Sequence, residues 1–300
     1  VGFDNLIDNG DLDLKHARMA QLGIDVKPLD FGQSVSCGSF TFIKADATDF
    51  DTVNAFCAAG QFEQIIHLAA AGNGLSNASP LYYLQSNVNA TQNMLEAGRL
   101  NGVKHLFFSS TSAVYGSRAQ SPISEEDDVD DPLSMYGGCK RMCELLCNTY
   151  ARCYKIPVTV FRFFSAYGPW GRPHSDSMRI AFDIMKGKPV TVLNDGYIIR
   201  DFTYIDDIVD GITFALMTPP TGVRPFALYN IGRSQPVPYM AYAQAIETAL
   251  GIPAIIQTVP DSPLDVGENI ELYADTSKLD RELAYSPVWL YTEAVPIFID

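Results

Sequence analysis

From Val1 to Phe163 the chain alternates short apolar runs with longer stretches of helical periodicity. Val1–Asp4 reads as the end of a buried strand, Leu12–Leu22 as a helix, Ser39–Lys44 as a strand and Phe50–Ala59 as a helix. Gln64–Ala69 is a short apolar strand, Pro80–Leu100 a long helix and His105–Ser109 a further strand. Helix Tyr136–Tyr154 and strand Val158–Phe163 complete the series. Strands separated by helices of this length imply a parallel sheet with helices on both faces. The fold class is therefore α/β, a Rossmann-type doubly wound parallel sheet. Sites in such sheets lie at the carboxyl ends of the strands. Asp4, Asp46, Ala69-Ala70, Ser109 to Ser112 and Phe164-Ser165 all fall there.

The second half changes character. Tyr167-Gly-Pro-Trp-Gly-Arg-Pro173 is a loop rich in turn residues, Met178–Lys186 is helical, and Thr203 to Leu216 reads as a short strand turning into a helix. From Thr218 the pattern is mixed and Pro-rich, as in a smaller C-terminal α/β domain. The reading assigns 1–168 and 197–218 to a dinucleotide-binding domain, and 169–196 and 219–300 to a substrate domain.

Chemistry concentrates in Ser134-Met-Tyr-Gly-Gly-Cys-Lys140. Tyr136 and Lys140 are four residues apart, so they share one helix face. A fixed cation beside a phenol lowers its pKa, and such a phenol can take a proton from a hydroxyl at neutral pH. Ser110-Thr111-Ser112 supplies hydroxyls for the same oxygen. By itself the spacing equally describes a surface helix pair. Its place at the carboxyl rim is what favours the functional reading.

Bulk properties remove several alternatives. A net charge of −14 argues against non-specific nucleic-acid binding. No apolar run is long enough to span a bilayer, and no secretory signal opens the chain. Of six cysteines, Cys139, Cys143 and Cys147 follow one helix face at i, i+4 and i+8. A metal site needs a fourth ligand and tighter spacing, so buried thiols in a reducing compartment are expected. His67 and His105 flank apolar strands and read as structural.

No Gly-rich phosphate loop is visible; Asn9-Gly10 reads as a turn. The chain starts at what reads as a second strand, with Asp4 placed to bind ribose hydroxyls. The expectation is a piece lacking a central first strand, its Gly loop and its first helix. Losing even one buried Leu side chain costs ~2–5 kcal/mol, so poor folding and weak dinucleotide binding are expected.

Phe163-Phe-Ser-Ala-Tyr-Gly-Pro-Trp-Gly-Arg-Pro173 and Arg200-Asp-Phe-Thr-Tyr-Ile-Asp-Asp207 resemble the extended short-chain dehydrogenase/reductase family, the NAD-dependent epimerases and dehydratases. Tyr229-Asn-Ile-Gly232, Asp265-Val266 and Ala274-Asp-Thr-Ser277 fit as well, and the likeness is strongest to its UDP-glucuronate 4-epimerase branch. The resemblance implies NAD as cofactor and a UDP-sugar as substrate, epimerised at C4 through a 4-keto intermediate. It implies Tyr136 as acid/base, Lys140 tuning it and holding the nicotinamide ribose, and Thr111 in the catalytic Ser/Thr position. Asp4, Asn5, Asp46, Ala47, Leu68, Ala69, Ala70, Asn87, Ser109 and Phe164 would join Tyr136 and Lys140 around NAD. Ser110, Ser112 and Ser165 would face the sugar, and Arg172 and Arg200 the UDP phosphates. Ser165 stands where the family usually has Thr, Leu264 where it has Gly, and the loop after Ala70 is one residue short. Thr111-Ser112-Ala113 lacks the carboxylate that related dehydratases and decarboxylases carry, which favours epimerisation. Another nucleotide-sugar epimerase, dehydratase or decarboxylase and a non-catalytic piece remain the alternatives. The family also implies a cytoplasmic homodimer paired through Pro80–Leu100 and Tyr136–Tyr154.

Overall fold

The computed structural model describes residues 1–8, 11–72, 79–117, 120–260 and 271–300. Asn9-Gly10, most of the loop after Ala70, and Leu264 with Asp265-Val266 lie outside the described residues.

Four strands form the parallel centre: β4 (Gln64–His67), β5 (His105–Thr111), β6 (Val158–Phe163) and β11 (Phe226–Ile231), in the order β11-β6-β5-β4. Side chains alternate across a strand, so each strand feeds two cores. Leu106 and Phe108 of β5 and Val158 and Val160 of β6 pack under α4 (Ala90–Leu100) and α5 (Met135–Tyr154). Phe107, Phe161, Tyr229 and Ile231 point the other way, against α7 (Ile205–Met217) and α9 (Ser277–Leu283). Burying each such aromatic contributes about 1.5–3 kcal/mol. The result is the doubly wound α/β/α arrangement expected from the strand–helix alternation.

The sheet is not one ladder, however. β1 (Gly2–Asp4) pairs in parallel with β3 (Phe40–Lys44), and β2 (Ser34–Cys37) adds to β3 in antiparallel fashion, as a separate sheet. The apolar-run criterion passes over β2, whose Ser-Val-Ser-Cys is mostly exposed. Among the described residues no strand pairing joins β1 to β4. Contact between the two sheets runs through helices: α2 (Phe50–Gly60) packs on α4, with Asn101 Nδ2 donating to Asn54 Oδ1 at 2.8 Å. Asn93 Nδ2 donates to the Ala47 carbonyl at 2.9 Å.

The long helix Pro80–Leu100 is broken. A turn of α-helix, α3 (Pro80–Tyr83), passes into a π-helical stretch over Leu84–Asn89 before α4 begins. α1 (Leu12–Gln21) follows β1.

The C-terminal half has its own core. α6 (Asp176–Met185), α8 (Tyr239–Leu250) and α10 (Tyr291–Ile299) enclose an aromatic cluster with β7 (Ser165–Tyr167), β8 (Pro189–Val192) and β10 (Phe202–Tyr204). Phe202 stacks on Tyr242 with centroids 3.6 Å apart and planes 5° from parallel. β9 (Ile199–Arg200) is the middle strand between β12 (Val237–Pro238) and β14 (Glu271–Leu272), and β13 (Ile255–Thr258) pairs with β8.

Candidate active site

The first turn of α5 is drawn close to the end of β5. Ser134 caps the helix by accepting from Gly137 N at 3.0 Å. A Cβ on Gly137 would meet the Ala113 carbonyl oxygen at 2.6 Å, so only glycine lets α5 sit this tightly on the 3₁₀ turn Ser112–Tyr115. That approach sets the Tyr136 phenol in hydrogen-bond contact with Thr111. Thr111 Oγ1 also accepts from Ala113 N at 3.2 Å. One turn on, buried Lys140 donates from Nζ to the Ser109 carbonyl at 2.6 Å and lies 4.7 Å over the Phe108 ring.

The electrostatics differ from the sequence expectation. Desolvation pushes the Tyr136 phenol up, and Arg172 and the Thr111 hydrogen bond only partly oppose it. Lys140 Nζ stands 5.9 Å from the Tyr136 ring centroid and donates to the Ser109 carbonyl. After desolvation, the charge of Arg172 acts most on the phenol. Lys140 itself is pushed down to about 8 by burial, against the influence of Cys143, Cys147 and Glu144. It stays largely charged at neutral pH.

Arg172 sits at the reacting end. Its guanidinium is so close to the Gly72 backbone that a Cβ there would collide with Nη1, and its field reaches Tyr136, Lys140 and Arg18. Arg18 of α1 donates from Nε to the Trp170 carbonyl at 3.0 Å, which ties α1 to the same loop. Arg200 lies on β9, between Val237 and Leu272, with Nη1 donating to the Ile199 carbonyl at 3.0 Å.

A cleft opens at the ends of β1, β3 and β4, lined by Asp4, Asn5, Asp46, Ala47, Ala69 and Ala70 among others. Asp4 Oδ1 accepts from Leu6 N at 2.7 Å and from Lys15 Nζ at 3.2 Å. Asp46 accepts from Asn5 Nδ2 at 3.0 Å and from Thr48 N at 2.8 Å. Burial raises Asp46, but the Thr48 and Asn5 hydrogen bonds outweigh it and hold the carboxyl below its usual range. Two acidic side chains that accept hydrogen bonds beside small apolar walls match the hydroxyls and flat base of a nucleoside.

Three expected site residues have their side chains engaged elsewhere. Ser110 is buried and donates to Glu144 Oε1 at 2.6 Å, because it points to the α5 face of the sheet, away from the cleft. Asn87 is buried behind the cleft and clamps Ala71, accepting from its N at 2.6 Å and donating to its O at 3.1 Å. The Phe164 ring is buried with Val114, Tyr115 and Ile123. Leu68 is exposed at the end of β4. Ser112 opens the 3₁₀ turn, and Ser165 opens β7 with its N donating to the Asp201 carbonyl at 3.1 Å. Sequence reading missed Glu144, Arg162 and Asn230, a buried polar group beneath the rim. The available signals were an Arg within the apolar run Val158–Phe163 and a Glu four residues beyond Lys140.

The model of the NAD dependent epimerase/dehydratase family matches residues 13–232. The chain belongs to the NAD-dependent epimerase/dehydratase family. It is thus an NAD-using enzyme of the nucleotide-sugar 4-epimerase type. It is 32% identical, over all of its length and 88% of the relative, to a probable UDP-glucuronate 4-epimerase of Rhizobium meliloti. To UDP-glucuronate 4-epimerase 4 of Arabidopsis thaliana it is 33% identical over 96% of this chain and 65% of the relative. Among solved structures it is similar to UDP-glucuronic acid 4-epimerase from Bacillus cereus in complex with UDP-glucuronic acid and NAD. The TM-score is 0.85 at 29% identity, covering all of this chain and 89% of that one. The residues fit the family's NAD: Asp4 and Asp46 offer acceptors in the cleft, and Lys140 and Tyr136 stand on α5 beside the end of β5. Among the described residues no helix is long and apolar enough to cross a membrane.

Proposed function

We propose that the protein interconverts UDP-glucuronate and UDP-galacturonate by inverting C4. The observation that carries this reading is the Tyr136 phenol held by Thr111 and facing the field of Arg172. Tyr136 exchanges the O4 proton, Thr111 orients the phenol and O4, and Lys140 keeps a positive charge at the back of the site. When bound, NAD supplies the hydride acceptance and return that a redox-neutral inversion requires. Arg172 stands beside the reacting oxygen, where a forked guanidinium suits the hexuronate carboxylate as well as it suits phosphate. Asp4, Asn5, Asp46, Ala47, Ala69 and Ala70 hold the adenosine half of the cofactor. Ser112 and Ser165 lie toward the sugar, and Arg200 toward the UDP, which residues 169–196 and 219–300 carry. Exposed Leu81, Leu100, Met142 and Leu145 on α3, α4 and α5 support a homodimer through these helices.

The test is product analysis. The purified protein with NAD and UDP-glucuronate is expected to yield UDP-galacturonate. UDP-xylose would establish decarboxylation instead, and no product with bound NAD would remove the reading.

A further inference from the structure

Tyr136, Lys140 and Glu144 form one stripe on α5, at i, i+4 and i+8. The stripe meets three successive residues of β5. Tyr136 contacts Thr111, Lys140 donates to the Ser109 carbonyl, and Glu144 accepts from Ser110 Oγ at 2.6 Å. Ser110 is the cross-strand neighbour of Arg162 on β6, which is in turn the neighbour of Asn230 on β11. Glu144 therefore covers a polar row at the level where the apolar core ends. It binds Arg162 in bidentate fashion, from Nε at 2.9 Å and Nη2 at 2.8 Å, and both side chains are 2% exposed. Arg162 lies 4.7 Å over the Tyr115 ring, whose hydroxyl donates to Asn230 Oδ1 at 2.6 Å. None of these groups reaches the cleft.

Resting on the reading above, we propose that Glu144 is a positioning residue for the reaction. Through Ser110 and Arg162 it sets the rotation of α5 over the strand ends, and its carboxylate supports the charge on Lys140.

Two arguments separate this from a merely structural role. Buried ion pairs can often be exchanged for apolar residues with no loss of stability, so a pair of this kind is weak evidence for a purely stabilising role. What apolar residues lack is geometry that fixes one helix rotation, and here the rotation sets where Tyr136 and Lys140 point. The second argument is charge. The groups acting on Lys140 are Cys143, Cys147 and Glu144 from its own helix and Arg172 from the loop, while His67 of β4 feels Lys140 in turn. Burial pushes the Cys143 thiol up to about 11 and Cys147 well above its ordinary value, so both are neutral at pH 7. His67 is pushed down to about 3 and is neutral as well. Glu144 is thus the one formal negative charge among them, on a residue one helical turn from Lys140, and it is shared with Arg162 and with Arg141, whose Nη1 lies 3.4 Å from Oε2.

The first test reads the Lys140 Nζ directly, by NMR of lysine-labelled full-length protein, with Lys140→Met assigning the signal. In the isosteric Glu144→Gln variant Lys140 is expected to lose its proton at lower pH than in the parent protein. An unmoved titration overturns the proposal. This arm needs no turnover, so it stands apart from whether UDP-glucuronate is the substrate. The second test is kinetic. Glu144→Gln is expected to lower kcat about tenfold, with its alkaline limb at lower pH and the KM for UDP-glucuronate within about twofold. A loss confined to KM, or a lower kcat with the limb unmoved, overturns it. Should Glu144→Gln melt early, Ser110→Ala removes one contact and leaves the ion pair. A kcat loss of about threefold, restored by Ser110→Thr, is then expected. Unchanged kcat in a folded Ser110→Ala overturns the proposal.

Discussion

The rim where α5 meets β5 and the rim where β1 meets β3 both lie at strand carboxyl ends, yet they are built on opposite principles. At the first, Lys140, Ser110, Glu144 and Arg162 are buried, and desolvation displaces the proton affinities of Tyr136 and Lys140. At the second, Asp4 and Asp46 remain in contact with solvent and are held as acceptors by neighbouring N–H and O–H groups. Proton transfer needs groups whose charge is costly and therefore movable. Recognition of hydroxyls needs groups whose charge is settled. The same topological position serves both because burial, not strand order, sets the difference.

The largest expected effect comes from Tyr136. Tyr136→Phe removes the proton carrier and is expected to lower kcat by about 10²–10⁴-fold in the UDP-glucuronate assay, with NAD affinity within about threefold. Retained turnover would dissolve the distinction between the rims. Asp46→Ala probes the other rim. It is expected to weaken NAD binding about tenfold by calorimetric titration while leaving kcat at saturating NAD within about twofold. A kcat loss as large as that of Tyr136→Phe would show the rims to be one functional unit.

Lys140 sharpens the comparison through pH. Its proton is held below about 8 and lost above it, so kcat is expected to fall as pH rises through about 8. In stability the sign is opposite. Between about 8 and its ordinary value of 10.5 the unfolded chain binds more protons at this group, so the folded state gains stability as pH rises there. The smallest effect on turnover belongs to His67, which acts on stability alone. It is buried, shares a hydrogen bond of 3.0 Å with Thr91 Oγ1, and is pushed down to about 3 from 6.5. Between those values the unfolded chain again binds the extra proton, so stability falls as pH drops through that window. His67→Gln is expected to flatten the pH dependence of chemical denaturation there. An unchanged slope would place the acid sensitivity elsewhere.

Legibility followed the range of the interactions. The strands His105–Thr111 and Val158–Phe163 announce themselves because both their faces are buried, and the edge strand Gln64–His67 because it still carries an apolar Ile65-Ile66 pair. β2 does not, because its residues are mostly exposed, and neither do β12 and β14, which are two residues long and held by a partner distant in the chain. The π-helical stretch Leu84–Asn89 shows no breaker residue, and its place follows from packing against α5. At the site, Tyr136, Lys140 and Thr111 were legible from helix spacing and motif. Ser110 was misplaced because the motif marks a run of hydroxyls and not the direction each one faces across the pleat.

The alternation of apolar strands with helices, and the four-residue step from Tyr136 to Lys140, were determined by the amino-acid order alone. Both are consequences of local backbone periods, 2 for a strand and 3.6 for a helix. Only the tertiary structure decided that Arg172 brings its charge to bear on the phenol, that Tyr136 is pushed up, and that Glu144 and Arg162 lie under the rim. Those outcomes depend on desolvation and on neighbours brought together from different strands and helices, and no short window of sequence contains either.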